Sequence, residues 1–244
     1  MRSIVFCGKD VGLIALKWLL KKKYRPDLVV VNSKLEIEII NFCKKNRIKC
    51  IVLFKRKIDI FFKRFQNKEF DWLLSLWNPS IISKNVLKKF KNTLNLHPSF
   101  IPYCKGSDTA AWIIRTGSPA GVTLNEMSEK VDEGKIWIRK RIKYKLPITG
   151  LSLQKILKKK LLELFFSNWE KIVNKRLKSK KISIKGSKFT RKKTNFDKDQ
   201  IFSKNNALLK SISWLLAHDF ENISKASIKF GKKKYLVSLN LIKK

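Results

Sequence analysis

Apolar and polar positions in the first part of the chain follow two alternating periods, and these periods predict the fold. Residues 3–8, SIVFCG, form a mostly apolar run typical of a buried strand, whereas residues 11–22 place leucines at helical spacing. The succession repeats: we predict strands at 27–31, 51–54, 72–76 and around Asn95, and helices at 36–46, 59–66 and 85–90. Strands that alternate with helices indicate an α/β fold with a Rossmann-like, mostly parallel sheet core.

The remainder of the chain is organised differently. Residues 109–115 have the pattern of a helix, 120–127 and 135–144 that of antiparallel strands, and 151–175 that of a long amphipathic helix. Residues 176–205 are rich in lysine and favour an extended linker. A helix around 208–216 and a hairpin over 225–242, with Gly231 in its turn, predict a small C-terminal helix plus β-hairpin appendage. We therefore expect a main domain of residues 1–175, a linker of 176–205 and an appendage of 206–244.

Candidate chemistry lies where the strand at Asn95 ends. Residues two apart on a strand point to the same side, so Asn95 and His97 can aim an amide and an imidazole at one point. Pro98 and Pro102 then stop the strand and favour an irregular loop. The carboxylate of Asp132 can orient the imidazole and stabilise its charge. Such a trio suits a reaction that builds negative charge on a carbonyl oxygen and moves a proton.

Composition limits the class of protein. A hydrophobic content of 44% is typical of a globular chain, no apolar run is long enough for a membrane span, and the N-terminus does not resemble a secretory signal. The four cysteines have no C-x-x-C spacing, so we interpret them as reduced thiols of a cytoplasmic protein and Cys104 as a loop residue, not a nucleophile. The two distant histidines, His97 and His218, predict no metal site.

The net charge of +38 invites a nucleic-acid interpretation. However, lysine far outnumbers arginine and is spread from end to end, whereas nucleic-acid binders concentrate their charge and favour arginine for bidentate contacts. We therefore attribute the charge mainly to compositional bias, and we expect a positive field to steer an anionic substrate. On this reasoning we do not expect nucleic acid to be a partner, and a basic nucleic-acid-binding protein without activity remains an alternative.

Two motifs carry a resemblance to a known family. LNLHPSFIPYCKG at 94–106 and GVTLNEMSEKVDEG at 121–134, preceded by a Rossmann-like segment, resemble the folate-dependent formyltransferases over about residues 3–170. The resemblance implies transfer of a formyl group from N10-formyltetrahydrofolate to an amine. It implies that Asn95 and His97 stabilise the oxyanion and that Asp132 supports the charged imidazole.

The resemblance also implies where the substrates bind. The pterin of the folate would lie between the end of the 72–76 strand and the 126–131 loop, and the expected folate-binding residues are Ser75, Leu76, Trp77, Met127 and Val131. The expected acceptor-binding residues are Lys9, Tyr103 and Lys105. Lys105-Gly106 is a departure, because most of the family has Arg-Gly at this point, and this departure bears on which acceptor is used.

Among formyltransferases, the chain looks most like the sugar N-formyltransferases. PDLVVVNSKLEIEIINFCKKN, PAGVTLNEM and GSKFTRKKTNFD carry this resemblance, whereas FCGKDVG lacks the phosphate loop of the purine enzymes. It implies a nucleotide-linked (dTDP or UDP) amino-deoxysugar acceptor, as used for surface polysaccharides such as lipopolysaccharide O-antigen. Another amine, such as initiator methionyl-tRNA, remains an alternative acceptor. Relatives of this kind also lead us to expect a homodimer.

Overall fold

The computed structural model describes residues 1–145, 148–182, 186–189, 208–220, 226–230 and 233–240. The chain divides into two compact units. The first consists of Met1–His97, Thr123–Ile138 and Leu161–Ile182, and the second of Pro98–Val122, Arg139–Lys160 and Ser183–Lys244. The division into residues 1–175, 176–205 and 206–244 stays a prediction, and much of the expected linker lies outside the described residues.

Strands and helices alternate through the first part of the chain, as the sequence periods predict. Up to His97 the elements are β1 (Ser3–Cys7), α1 (Lys9–Lys21), β2 (Leu28–Val31), α2 (Ile37–Lys45), β3 (Cys50–Val52), α3 (Lys55–Phe62), β4 (Phe70–Leu76), α4 (Lys84–Leu87) and β5 (Phe90–His97). After His97 they are β6 (Lys105–Gly106), α5 (Thr109–Thr116), β7 (Gly121–Asn125), β8 (Ile136–Arg141), α6 (Gly150–Val173), β9 (Lys188–Phe189), α7 (Leu208–Ala217), β10 (Ala226–Phe230) and β11 (Lys233–Val237).

The main sheet has the order β3-β2-β1-β4-β5-β7-β8. The five strands from β3 to β5 are parallel, and β7 runs antiparallel to β5. The predicted Rossmann-like α/β fold is thus confirmed. The chain leaves β1 toward β2 on one side and later returns to β4 on the other, so the carboxyl ends of β1 and β4 form a switch point, where open sheets of this kind bind ligands.

Register across the sheet brings polar residues together at this edge. Ser75 of β4 pairs with Asn95 of β5, and Asn95 pairs with Asn125 of β7. The polar line lies beside an apolar core, since β1 is buried along its whole length and an adjoining cluster includes Phe62, Leu73 and Phe90. The core holds the strands in one register, and the register aligns the polar side chains.

The C-terminal half of α6 belongs to the first unit and packs within it through aromatic rings. Trp169 is fully buried and meets Trp72 edge-on, with ring centroids 5.0 Å apart. Phe166 stacks on Trp18 of α1 at 4.8 Å. The amphipathic pattern predicted for residues 151–175 therefore corresponds to a packing face, which anchors α6 beside the sheet.

Some element bounds differ from the expectation. Helix α3 begins four residues earlier than predicted, because Phe54 is extended and the helix buries Ile58 and Phe62, which are four residues apart. β8 ends at Arg141, three residues before the predicted end, and Ile142 donates to the Ala120 carbonyl at the end of the pair. β10 and β11 form the predicted antiparallel strands, whereas the expected turn residue Gly231 lies outside the described residues.

One pairing was not predicted at all. Lys188–Phe189 forms the short strand β9 inside the expected linker, and it pairs in parallel with β6 (Lys105–Gly106). The lysine-rich composition around β9 favoured a linker, and the sequence carries no periodic signal for a strand of two residues. This pairing belongs entirely to the second unit.

Candidate active site

The three residues expected to be catalytic lie together in the first unit. Asn95 and His97 occupy the last residues of β5 and project to the same side of the strand because they are two apart. Asp132 reaches them from the loop that follows β7. Its Oδ1 atom lies 3.5 Å from Nδ1 of His97 and 3.4 Å from Nδ2 of Asn95. The carboxylate thus contacts both partners through a single oxygen.

Water has little access to this constellation. The side chains of His97 and Asp132 are only 5% and 7% exposed. Nε2 of His97 is buried and has no hydrogen-bond partner among the described residues. An unpaired buried polar atom costs about 1–3 kcal/mol, so such an atom is retained where a ligand can supply the missing partner. Nδ1 faces Asp132, and Nε2 remains as the atom that can meet a reactant.

The Asn95 amide contacts both Asp132 and Asn125. Its Nδ2 donates to Oδ1 of Asp132 at 3.4 Å and to Oδ1 of Asn125 at 3.5 Å, and both distances exceed the usual 2.9–3.0 Å. Asn125 is itself fixed, since its Nδ2 donates to the Glu126 carbonyl at 2.9 Å and it is 1% exposed. The Asn95 amide is therefore held by two long bonds, which a stronger acceptor can replace.

Asn125 was not singled out from the sequence. Its place beside Asn95 follows from the register between β5 and β7, which is a long-range property of the sheet. The only sequence signal was the position of Asn125 in the GVTLN run that carries the family resemblance. It completes a group of four polar side chains, of which Asn95 is half-buried and the other three are nearly buried.

Local backbone structure places Asp132 at the site. Glu126 and Lys135 close the loop, because the Glu126 N–H donates to the Lys135 carbonyl at 2.7 Å. Asp132 has a left-handed backbone with a φ of 57°, a conformation that Asp and Asn tolerate better than most residues. Gly134 lies so close to the Glu126 carbonyl that a Cβ atom would collide with it. The D-x-G pattern is thus what the tight loop requires.

The residues expected to bind the folate lie at the edge of the first unit. Ser75 and Leu76 are buried at the end of β4, and the Leu76 carbonyl accepts from the Gly8 N–H at 3.1 Å. Trp77 follows β4, is half-buried and has a φ of 62°. Because the Leu76 side chain lies in the core, only its main chain can face a ligand. The folate roles stay predictions.

Met127 and Val131, which were also expected to contact the folate, are half-buried in the loop that carries Asp132. The Met127 N–H donates to Oγ1 of Thr93 at 2.7 Å, which ties the start of this loop to β5. The Met127 side chain packs against the apolar cluster of the sheet. Their position in the loop fits the expected role without establishing it.

The predicted acceptor-binding residues are divided between the units. Lys9 belongs to the first unit, where it is exposed at the start of α1 and donates its main-chain N–H to Oε2 of Glu36 at 2.8 Å. Tyr103 and Lys105 belong to the second unit and are half-buried in the loop after His97. Of the three, only Lys9 belongs to the same unit as the trio, and the acceptor-binding roles stay predictions.

Cys104 lies in the same loop and has the environment of a structural thiol. It is 1% exposed, and burial raises its pKa above the ordinary value, while hydrogen bonds with Ser118, Thr116 and Ser187 act in the opposite direction. A thiol with a raised pKa is a poor nucleophile near neutral pH. This environment supports the interpretation of Cys104 as a loop residue.

Two features are absent from the described part of the chain. Among those residues, no three His, Cys, Asp or Glu side chains are grouped so that they could hold a metal ion. Within the same ranges, no helix has both the length and the apolar character needed to cross a membrane.

Comparison with known proteins identifies the fold and the domain. Residues 70–163, which include β4, β5 and Asp132, match the formyl transferase family. This stretch of the chain is thus similar to the formyl transferase family, and the family resemblance read from the motifs is confirmed.

Two curated relatives match parts of the chain. The bifunctional polymyxin resistance protein ArnA of Wigglesworthia glossinidia brevipalpis is 29% identical over 167 residues, which are 64% of this chain and 25% of that protein. The GDP-perosamine N-formyltransferase of Brucella melitensis biotype 1 is 34% identical over 95 residues, 38% of this chain and 37% of that protein. The chain thus spans only 25% and 37% of the length of these two relatives.

Solved structures share the fold over almost the whole chain. A 4-N formyltransferase from Francisella tularensis has a TM-score of 0.86 at 18% identity and covers 99% of this chain and 98% of its own. The N-formyltransferase from Helicobacter canadensis, solved with folinic acid and dTDP-3-aminofucose, has a TM-score of 0.71 at 20% identity and covers 89% of this chain and 80% of its own. At these identities the similarity establishes the fold.

Proposed function

We propose that the protein is an N-formyltransferase that moves the formyl group of N10-formyltetrahydrofolate to the amine of a nucleotide-linked amino-deoxysugar. The observation that carries the proposal is the buried constellation of Asn95, His97 and Asp132. It places an imidazole nitrogen with no partner among the described residues beside an amide and a carboxylate. The geometry suits acyl transfer to an amine, which requires stabilisation of an oxyanion and movement of one proton.

In this proposal, His97 works through its two ring nitrogens. Nδ1 faces Oδ1 of Asp132 at 3.5 Å, so the carboxylate orients the ring and stabilises its positive charge. Nε2 then donates to the carbonyl oxygen as negative charge develops there. The Asn95 amide gives up one of its two long hydrogen bonds and donates instead to this carbonyl oxygen. Because the side chains of His97 and Asp132 are nearly buried, the interaction between them acts with little competition from water.

The residues present fit a folate co-substrate. The buried and unpartnered Nε2 of His97 requires a partner, and the reacting carbonyl would provide it. Three half-buried residues, Trp77, Met127 and Val131, offer apolar contacts for the flat ring of the folate. Ser75 and Leu76 are buried, so they can contact the folate only at the end of β4. The folate supplies the activated formyl group, and the protein positions it and stabilises charge.

The choice of an amino sugar rests on the likeness to proteins that act on such substrates. The curated relative from Brucella is named for GDP-perosamine, and the structure from Helicobacter canadensis contains dTDP-3-aminofucose. A nucleotide diphosphate is anionic, and the net charge of +38 favours its approach. Lys9, Tyr103 and Lys105 are proposed to bind it. We further propose that the protein acts in the cytoplasm as a homodimer, for which light scattering during gel filtration is the test.

An acceptor panel tests the proposal. Purified protein and N10-formyltetrahydrofolate are offered dTDP-, UDP- and GDP-linked 3- and 4-amino sugars, glycinamide ribonucleotide and charged initiator tRNA, and the products are read by mass. We expect a formyl group on one or more amino sugars. Formylation of the tRNA alone would contradict the acceptor, and no product from any acceptor, with folate left intact, would contradict the activity.

Salt dependence separates a sugar from a tRNA. Lys178, Lys180 and Lys181 are exposed, and their joint replacement by Gln should leave transfer to a nucleotide sugar unchanged. A tRNA contacts many phosphates, so its affinity would fall by orders of magnitude between about 50 and 200 mM salt. A steep fall of kcat/KM with salt, made less steep by the triple variant, would contradict a sugar acceptor. It would not contradict the formyl-transfer activity itself.

A further inference from the structure

The loop after His97 is held by a distant segment of the chain, which we call the strap and define as Gly186–Phe189. The main-chain N–H of Lys105 donates to the Ser187 carbonyl at 2.9 Å, and that of Ser107 donates to the Phe189 carbonyl at 3.1 Å. The side chain of Ser187 also accepts from the Cys104 N–H at 2.9 Å. Three loop donors within four residues are therefore satisfied by the strap.

Side-chain packing reinforces this main-chain pairing. The ring of Phe189 lies flat on Trp112 of α5, with ring centroids 3.8 Å apart and the planes inclined by 4°. Trp112 is itself 3% exposed, and the Arg115 guanidinium lies over its indole ring at 4.4 Å. The strap is thus anchored to a buried helix, and β6 is tied to that anchor.

Two glycines make the close approach of the strap possible. Gly106 has a φ of 96°, and a Cβ atom there would collide with the Phe189 carbonyl. A Cβ atom on Gly186 would collide with Pro102. Each collision would fall between the loop and the strap, so glycine at both positions is what allows the two segments to approach so closely.

We propose that the strap is a positioning element for acceptor recognition, with Phe189 as its main positioning residue. The loop it holds carries Tyr103 and Lys105, so the inference rests on the proposed function of these two residues. The strap fixes their main chain before the acceptor arrives, which removes an entropic cost from binding. The contacts described above involve none of Asn95, His97 and Asp132, so we expect loss of the strap to act on acceptor binding and not on formyl transfer itself.

The test compares two phenylalanines that stack on tryptophan. Phe189→Ala removes the ring on the loop side, and Phe166→Ala removes a similarly half-buried ring that stacks on Trp18 at 4.8 Å in the first unit. We expect Phe189→Ala to raise the KM for the acceptor about tenfold, equivalent to about 1.4 kcal/mol, while kcat and the KM for folate stay within about twofold. Phe166→Ala should leave all three constants unchanged.

Hydrogen exchange supplies a readout that does not depend on turnover. The amides of Cys104, Lys105 and Ser107 should be protected in the unaltered protein and exchange at least about tenfold faster in Phe189→Ala. If they stay protected, the strap does not hold the loop. If they lose protection while the KM for the acceptor is unchanged, the strap is structural only, and the inference is wrong.

Two further variants keep the test decisive. Phe189→Tyr retains the stacked ring and should retain the original KM for the acceptor. Phe189→Leu retains apolar volume without a flat ring, so it should fold even if Phe189→Ala does not, and it should raise the KM for the acceptor. Failure of the proposed function is distinguishable, because the unaltered protein would then form no product with any amino sugar. If Phe189→Leu forms product with an unchanged KM for the acceptor, the inference about the strap is wrong.

Discussion

Replacing Asp132 by Asn removes one charge from the site and little else. The substitution preserves the shape of the side chain, and Asn tolerates the left-handed backbone of this position, whose φ is 57°. Asp132→Ala would be less informative, because a left-handed backbone disfavours Ala by about 1–2 kcal/mol. The Asn variant therefore isolates the interaction of the carboxylate with His97.

The size of the effect follows from distance and burial. Oδ1 of Asp132 lies 3.5 Å from Nδ1 of His97, and the two side chains are 7% and 5% exposed. Opposite unit charges about 4 Å apart attract by about 4 kcal/mol at an effective dielectric constant of about 20. Since about 1.4 kcal/mol corresponds to a factor of ten, loss of this attraction in the transition state should lower kcat by about 10²- to 10³-fold.

Steady-state kinetics with varied folate and varied acceptor measure this effect, and Asp71→Asn is the matched control. Asp71 also pairs with a cation, since its Oδ1 lies 2.8 Å from Nζ of Lys91, but this pair is at the amino end of the sheet and partly exposed. We expect the control to retain kcat and both variants to keep their melting temperature within about 4 °C. A kcat for Asp132→Asn within threefold of the original value would refute the charge-stabilisation argument.

Three other predictions concern neighbouring groups. Asn95→Ala should lower kcat with little change in the KM for folate, because the amide meets only the developing oxyanion; a change confined to KM would contradict that role. Alkylation with iodoacetamide, followed by peptide mapping, should modify Cys50 first, since a hydrogen bond from the Cys43 thiol lowers its pKa, and should spare Cys104, whose pKa burial raises; early modification of Cys104 would contradict this order. The hydrogen bond from Lys91 holds the pKa of Asp71 below its usual range, so its contribution to stability is present above the unfolded pKa and is lost as pH falls through the depressed folded value. Melting temperatures should therefore differ between the original protein and Asp71→Asn at pH 7 and converge below about pH 4, and a constant difference would contradict this linkage.

The sequence predicted the sheet because its signal is local. Successive apolar residues in β1, and leucines at helical spacing in α1, reflect burial on both faces of a parallel sheet and on one face of a helix. The bounds of α3 were less predictable, since they depend on which of several phenylalanines and isoleucines reach the core. Ile58 and Phe62 do so, and this shifts the helix toward its N-terminus.

The candidate site was predicted where motif and spacing coincide. Asn95 and His97 share a side of β5, and Asp132 meets both, as the motifs suggested. Asn125 was missed because its contact with Asn95 depends on antiparallel register. The strap was missed for a related reason: its pairing joins segments about eighty residues apart, and a strand of two residues has no periodicity to detect.

The central claim is tested most directly by a competition for a labelled formyl group. Protein loaded with N10-[13C]formyltetrahydrofolate is given an equimolar mixture of nucleotide-linked 3- and 4-amino sugars and charged initiator tRNA, and label in each product reports its relative kcat/KM. The proposed function predicts label in the amide of one amino sugar and a loss of about 10²- to 10³-fold in labelling rate with Asp132→Asn. Label that appears only in the tRNA, or in no acceptor at all, would contradict it.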